Sequence, residues 1–311
     1  MLHVVSQACV AMQAAITGRS RRSRQRVGRA GSGKANCVQN DGGGRQGTMG
    51  SEAMVGLPYT QNDFPREAVS IVDHRPWPVP SGPWVMRQSW HDLLFAHWPV
   101  GRDLLAAVVP TGFEIDSFDG QTWIGVIPFV MTNVAPRGIP AMAWMSRFPE
   151  LNVRTYVCAG GKPGVFFFSL DAANALAVMV ARTTLCLPYH RASMDVERDD
   201  SAVRYRSRRA GAAPQAEFIA AYRPIGAAFR PQPGTLEHFL TERYCLYARN
   251  RRGRPYRLEI HHPPWSLQPA EAEIARNSMV SAAGLALPST KPLLHFARRQ
   301  DAVAWLPSKV P

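Results

Sequence analysis

The segment Glu150-Leu151-Asn152-Val153-Arg154-Thr155-Tyr156-Val157 alternates polar and apolar side chains, and this constrains the chain more than any other feature. A period of two marks a strand with one buried face. Side chains at i, i+2 and i+4 of a strand share a face. Glu150, Asn152, Arg154 and Tyr156 therefore form one row, and Leu151, Val153, Thr155 and Val157 the other. Gly160-Gly161 and Pro163-Gly164 then turn the chain, and an apolar run, Val165–Leu170, follows. The ladder offers a polar row that could line a pocket. It does not name a reaction.

The 311 residues suffice for one large domain or two small ones, and 46% hydrophobic residues suffice for a substantial core. No run reaches the roughly 20 apolar residues that cross a bilayer. The longest candidate, Ala172–Leu187, is interrupted by Asn174, Arg182 and two threonines. Near the N-terminus a basic cluster follows a short apolar stretch, the wrong order for a secretory signal. Cys9, Cys37, Cys158, Cys186 and Cys245 are scattered, without CxxC spacing, and imply a reducing cytoplasm. The net charge of +13 can signal nucleic acid. Its arginine-dominated source, alongside abundant Ala, Gly and Pro, is also what GC-rich coding produces, so nucleic-acid binding is not favoured.

Residues 1–70 differ from the rest. From Gly18 to Gly50 the chain is Gly, Arg, Ser and Gln with almost no large apolar residue, too little to offset its ordering entropy. They read as a disordered extension, either a solvated tail or a segment upstream of a true start at Met49 or Met54. Residues 71–311 read as the globular domain.

Within that domain Pro83–Trp98 has helical spacing at Trp90, Leu93, Leu94 and His97. Asp119-Gly120 joins Phe113–Phe118 to Gln121–Val130 as a hairpin, and Pro128 suggests an edge or a strand exit. Asp171 can cap a helix over Ala172–Leu185. Strands are predicted at Ala192–Glu197, Ala202–Ser207, Ala216–Tyr222, Tyr244–Arg249 and Tyr256–His261, a last strand or hairpin at Leu293–Trp305, and helices at Leu236–Arg243 and Pro269–Ser281. Many strands joined by short turns, with few helices, make a mainly antiparallel sheet.

Six stretches match one family pattern in order: RPWPVPSGPWVMRQSWHDLLFAHWPV (75–100), FDGQTWIGVIPFVM (118–131), FPELNVRTYVCAGGKPGVFFFSLDAANALAV (148–178), GTLEHFLTERYCLYA (234–248), EIHHPPWSLQPAEAE (259–273) and LLHFARR (293–299). Together they resemble the YqjF-like family, domain of unknown function 2071, which is similar in fold to acetoacetate decarboxylase. The resemblance implies a mainly β (α+β) fold, a curved antiparallel barrel-like sheet around a central cavity with a few flanking helices. It implies no known activity, and it admits a homo-oligomer. In the decarboxylase relatives a buried lysine forms a Schiff base with a keto acid, assisted by a glutamate and an arginine. Val165–Ala172, loosely aligned with the lysine-bearing strand, reads VFFFSLDA and holds no lysine. Lys162 lies in a Gly-Gly-Lys-Pro-Gly turn, where water would keep it protonated. Schiff-base decarboxylation is therefore disfavoured.

The leading site is Glu150, as acid or base, with Arg154 as a bidentate carboxylate clamp; a carboxylate beside an arginine usually stays ionised. The bland alternative is an exposed face with a weak ion pair. Asn152, Tyr156, Ser169, Arg243, Tyr247 and His261 are the further ligand-binding candidates. Ser169 lacks the GxSxG elbow of a hydrolase. Glu259 and His261 share a face while His262 points away, with no metal-site spacing such as HExxH. Arg204, Arg206 and Arg208 alternate as a stripe, read as a solvated outer face. No G-x-G-x-x-G or P-loop in strand–helix context appears, so no cofactor is expected. The reading is a barrel that binds a small organic acid or carbonyl compound and acts on it by lysine-independent acid–base chemistry. The alternatives are a non-catalytic ligand-binding or sensing module and, less favoured, a basic nucleic-acid or partner-binding protein.

Overall fold

The computed structural model describes residues 59, 63–65, 67–211 and 215–310. The expectations for the basic tail and for a start at Met49 or Met54 lie outside them. Among the described residues the strands are β1 (Met86–Val100), β2 (Glu114–Ile115), β3 (Thr122–Pro136), β4 (Phe148–Ala159), β5 (Lys162–Ala172), β6 (Tyr189–Arg198), β7 (Val203–Arg209), β8 (Glu217–Pro224), β9 (Cys245–Arg249), β10 (Pro255–His261), β11 (Gln268–Asn277), β12 (Leu293–Ala304) and β13 (Ser308–Lys309). The α-helices are α1 (Arg102–Ala106), α2 (Ala143–Ser146), α3 (Ala175–Thr184) and α4 (Leu236–Thr241).

All thirteen strands join one sheet, and two strands fork it. One edge of β5 pairs with β4, while its other edge takes β9 at Val165–Phe166 and β6 at Leu170–Ala172. Likewise β12 pairs with β1 on one edge and with β11 and β10 on the other. The wall β5-β4-β3-β1-β12 is thus shared by two closed rings. One is completed by β9 and β10, the other by β6, β7, β8 and β11. All pairings are antiparallel except those of β5 with β6 and β9.

The two faces of β4 serve the two rings. Leu151, Val153 and Val157 enter the largest core, where they meet Val196, Tyr205, Phe218 and Tyr222 from β6, β7 and β8. Glu150, Asn152 and Arg154 turn into the β9–β10 ring. The expected face assignment of the ladder therefore holds, and it assigns one face to packing and the other to a cavity.

Gly164 shows how closely the fork is packed. A Cβ there would sit 2.5 Å from the Cys245 carbonyl oxygen and 2.7 Å from Cε2 of Tyr247. Gly164→Ala should therefore cost about 1–3 kcal/mol, as overpacking does, read as a lowered urea midpoint at constant slope. An unchanged midpoint would mean that β9 can move off β5 freely.

Several expected elements differ. The helix expected over Pro83–Trp98 is strand β1, whose residues His91–Trp98 are all buried. Burial on both faces removes the polar alternation that distinguishes a strand from a helix. Pro269–Ser281 is not a helix: Gln268–Asn277 forms β11, with Ala270, Ala272 and Ile274 against the core and Glu271 and Glu273 exposed. Alanine and glutamate favour helix intrinsically, but pairing with β8 prevails. Asp171 does not cap α3. Asn174 does, its side chain accepting from Leu176 N and Ala177 N.

The Asp119-Gly120 turn is present with both φ positive, but β2 pairs with β4 and only a single Phe118–Gln121 bridge remains of the hairpin. Pro128 sits inside β3 opposite the bulge in β1, where the β1–β3 ladder is interrupted, so the missing N–H is tolerated there. Tyr59 packs into the core and Asp63 pairs with Arg299, so fold contacts begin before the expected boundary at residue 71. Arg204, Arg206 and Arg208 are exposed, and the first two pair with Asp199 and Asp195. Among the described residues no helix is long and apolar enough to cross a membrane.

Candidate functional site

The β9–β10 ring encloses a cavity of about 120 Å³, walled by Phe95, Ile127, Phe129 and Phe167 and floored by the polar row of β4. Strand alternation delivers Glu150, Asn152 and Arg154 to it, and the turn after α4 delivers Arg243.

Glu150 is 2% exposed. Tyr189 donates to its Oε2 at 3.1 Å, and the Tyr205 hydroxyl donates to its backbone carbonyl at 2.8 Å. Burial pushes the Glu150 carboxyl up to about 8; nearby Asp171 adds to the rise and the Tyr189 hydrogen bond opposes it. The carboxyl is therefore mostly protonated at neutral pH. The sequence suggested an ionised carboxylate beside Arg154. Four residues along a strand are about 13 Å of backbone, and the charge that acts on Glu150 is Asp171, not Arg154.

Arg154 carries the cationic end. Its Nη2 donates to the Leu240 carbonyl at 3.1 Å and to the Tyr156 hydroxyl at 3.5 Å. Its guanidinium lies 5.5 Å from the Phe95 ring centre. It pairs with no carboxylate among the described residues, and its buried Nε has no hydrogen-bond partner. Two other polar atoms in the same cavity are unpartnered, the Asn152 Oδ1 acceptor and the Trp265 Nε1 donor. Buried polar groups are normally satisfied, and these three atoms without partners belong to side chains that line one small space.

Arg243 also lines the cavity, but its charge is matched. Nη1 donates to Asp116 Oδ2 at 2.6 Å, Nε donates to the Phe239 carbonyl at 2.6 Å, and the guanidinium stacks 4.1 Å from the Phe239 ring centre. Tyr156 stands behind Arg154 rather than in the cavity. Its hydroxyl donates to the Leu240 carbonyl at 2.9 Å and lies 2.7 Å from His97 Nε2. Burial, with the Arg154 charge, holds His97 far below the usual histidine range, so it is neutral.

Besides Tyr156, three expected ligand-binding residues lie elsewhere. Ser169 is buried opposite Val153, on the face turned from the cavity. The Tyr247 hydroxyl donates to the carbonyls of Ala159 and Lys162 and its ring packs into the large core. His261 contacts Arg75 Nη1 at 3.3 Å and stacks on His74. Burial, with Arg75, pushes its pKa down to about 3. The expected parity of Glu259, His261 and His262 holds, and of the three it is His262 that lines the cavity. His262 Nδ1 lies 3.0 Å from Gln300 Nε2. Gln88, His262 and Trp265 were missed: nothing in the local pattern tells which face of a doubly buried strand or which residue of a Pro-Pro-Trp loop meets the cavity.

The family model DUF2071, described as an uncharacterized conserved protein, matches residues 87–301. The chain belongs to the DUF2071 family. The uncharacterized protein YqjF of Bacillus subtilis (strain 168) is 49% identical over 227 residues, spanning 73% of this chain and 93% of the relative. Among solved structures, the enduracididine biosynthesis enzyme MppR complexed with pyruvate aligns with a TM-score of 0.51 at 10% identity, over 77% of this chain and 93% of that one. Acetoacetate decarboxylase from Legionella pneumophila aligns with a TM-score of 0.50 at 14% identity, over 81% and 98%. At these identities the likeness establishes the fold, which is acetoacetate decarboxylase-like.

Among the described residues of this DUF2071 chain no lysine lines the cavity. Lys162 instead donates to Glu259 Oε1 at 2.8 Å and sits 5.1 Å from the Trp77 ring centre, on the face that also holds His261. An amine engaged in an ion pair outside the cavity cannot attack a carbonyl bound within it.

Proposed function

We propose that this protein binds a small organic acid or carbonyl compound in the β9–β10 ring and acts on it by acid–base chemistry that uses no lysine. Arg154 and the Trp265 indole N–H donate to the carboxylate, and Asn152 Oδ1 accepts from a hydroxyl or N–H of the ligand. Glu150, paired with Tyr189, holds a proton for a carbonyl oxygen farther along the ligand, since it stands about 13 Å of strand from Arg154. A carboxyl that titrates near neutral pH suits either direction of transfer. The observation that carries this reading is Arg154 itself. A cation turned into a largely apolar cavity without a carboxylate is costly, and an anionic ligand removes that cost. MppR, a relative in fold, is an enzyme seen with pyruvate. The free thiols of Cys158, Cys186 and Cys245 agree with a reducing cytoplasm.

A thermal-shift screen of the full chain with oxo acids, hydroxy acids, aldehydes and lactones tests this. An acid present at 100 times its Kd adds about 2.7 kcal/mol, which for a domain of this size is a rise of roughly 5–10 °C. Arg154→Ala should abolish the shift, and Arg154→Lys should recover only part of it, since an ammonium lacks the bidentate fork. If no acid shifts the wild type, or if Arg154→Ala responds equally, the carboxylate clamp is wrong.

A further inference from the structure

A second hollow adjoins the cavity. A groove of about 260 Å³ runs beneath α3, between Leu176, Ala177, Val180 and Ala181 on the helix and Val134 and Phe148 on the sheet side. It shares Met86, Gln88, Met131, Leu185 and Tyr189 with the cavity, so the two spaces adjoin across these side chains. The junction is at Tyr189, the residue bonded to Glu150. The groove therefore opens from the Glu150 end of the polar row, about 13 Å of strand away from Arg154.

Gln88, Thr184 and Tyr189 are the polar side chains of the groove's lining, with Gln88 and Tyr189 at its junction with the cavity. Thr184 donates its hydroxyl to the Val180 carbonyl at 2.7 Å, and Tyr189 donates its own to Glu150. Most of the remaining wall is aliphatic, with Leu306, 40% exposed, contributing to it. Taken alone, the cavity's 120 Å³ falls below the roughly 300–1,000 Å³ of an ordinary ligand pocket. Joined to the groove, it enters that range.

We propose that the groove is the tail subsite of the cavity, and that the ligand is an amphipathic carboxylate. Its head sits on Arg154, its chain passes Glu150 and Tyr189, and its aliphatic tail lies under α3. This rests on reading the cavity as a carboxylate site, and it adds the substrate class: a linear acid with an unbranched tail, whose reacting carbon lies along the chain where Glu150 can reach it. The ordering follows from the row itself, with the cation at the closed end, the neutral acid midway and hydrocarbon surfaces beyond.

The test is the affinity of the full chain for butyrate, hexanoate, octanoate, decanoate, dodecanoate and tetradecanoate, each below its micellar concentration, because a chain must cover about 13 Å before it passes Glu150. Each added methylene that enters the groove should tighten binding about fourfold. Ala181→Trp, which fills the groove from α3, should remove this dependence while leaving butyrate affinity within about twofold. Ala177→Phe, one turn away, is the second variant should the first fail to fold. A flat series in the wild type, with hexanoate binding still lost in Arg154→Ala, would overturn the tail subsite and leave the carboxylate cavity standing. A slope that survives in both groove variants would overturn it too. Failure of every acid to bind would overturn both readings.

Discussion

Replacing Arg209 with alanine is expected to destabilise the protein by about 3–5 kcal/mol, the cost of leaving a buried charge without its partner. Arg209 reaches from the end of β7 to Asp171 near the end of β5. It donates Nε to Oδ2 at 2.9 Å and Nη2 to Oδ1 at 2.7 Å. The two side chains are 6% and 0% exposed, so solvent does not substitute for either. Replacing both partners, as Arg209→Met with Asp171→Leu, should restore most of the loss, because the pair's desolvation cost is removed with it. Equilibrium urea unfolding of the two singles and the double gives the cycle. A single-variant loss under about 1 kcal/mol would mean that water reaches Asp171. The pair also bears on the site. Asp171 is the charge that raises the Glu150 pKa, so Arg209→Ala should push Glu150 higher still.

How much of this was legible in the sequence follows from which interactions are local. The β4 row was readable because alternation is a property of neighbouring residues, and Leu151, Val153 and Val157 record their burial in consecutive positions. The strands β6, β7 and β8 were readable for the same reason. By contrast β1 was misread as a helix because it is buried on both faces where two rings share it. Asp171 was misread as a cap because its partner lies 38 residues away. The protonation of Glu150 was not readable, since it depends on how deeply the ring closes over it. Nor was the choice between His261 and His262, since parity fixes which residues share a face and not which face meets the cavity. The absence of a lysine from Val165–Ala172 was legible directly, and it disfavours the Schiff base of the decarboxylase relatives.

Glu150→Gln is expected to make the protein more stable above neutral pH. In the folded protein burial holds the carboxyl at about 8, against an ordinary value of 4.5. Between these limits the unfolded chain has released a proton that the native state still binds. Stability therefore falls as pH rises across that window, by about 1.4 kcal/mol per unit from this group alone. Below about pH 4.5 both states are protonated and Glu150 contributes no slope. Above about 8 both are ionised and the loss is complete, on the order of 5 kcal/mol. Glutamine does not titrate, and its Oε1 still accepts from Tyr189. Wild type and variant should thus run together near pH 5 and separate progressively to pH 9, with the variant the more stable. Urea unfolding of both proteins at half-unit steps reads the difference and cancels the slopes of every other group. Parallel curves would place Glu150 in water and remove the neutral acid from the site. Diverging curves would show a carboxyl kept where a carboxamide of the same shape is more stable. Such a group has no structural advantage to offer at that position, which leaves its proton as the reason for it.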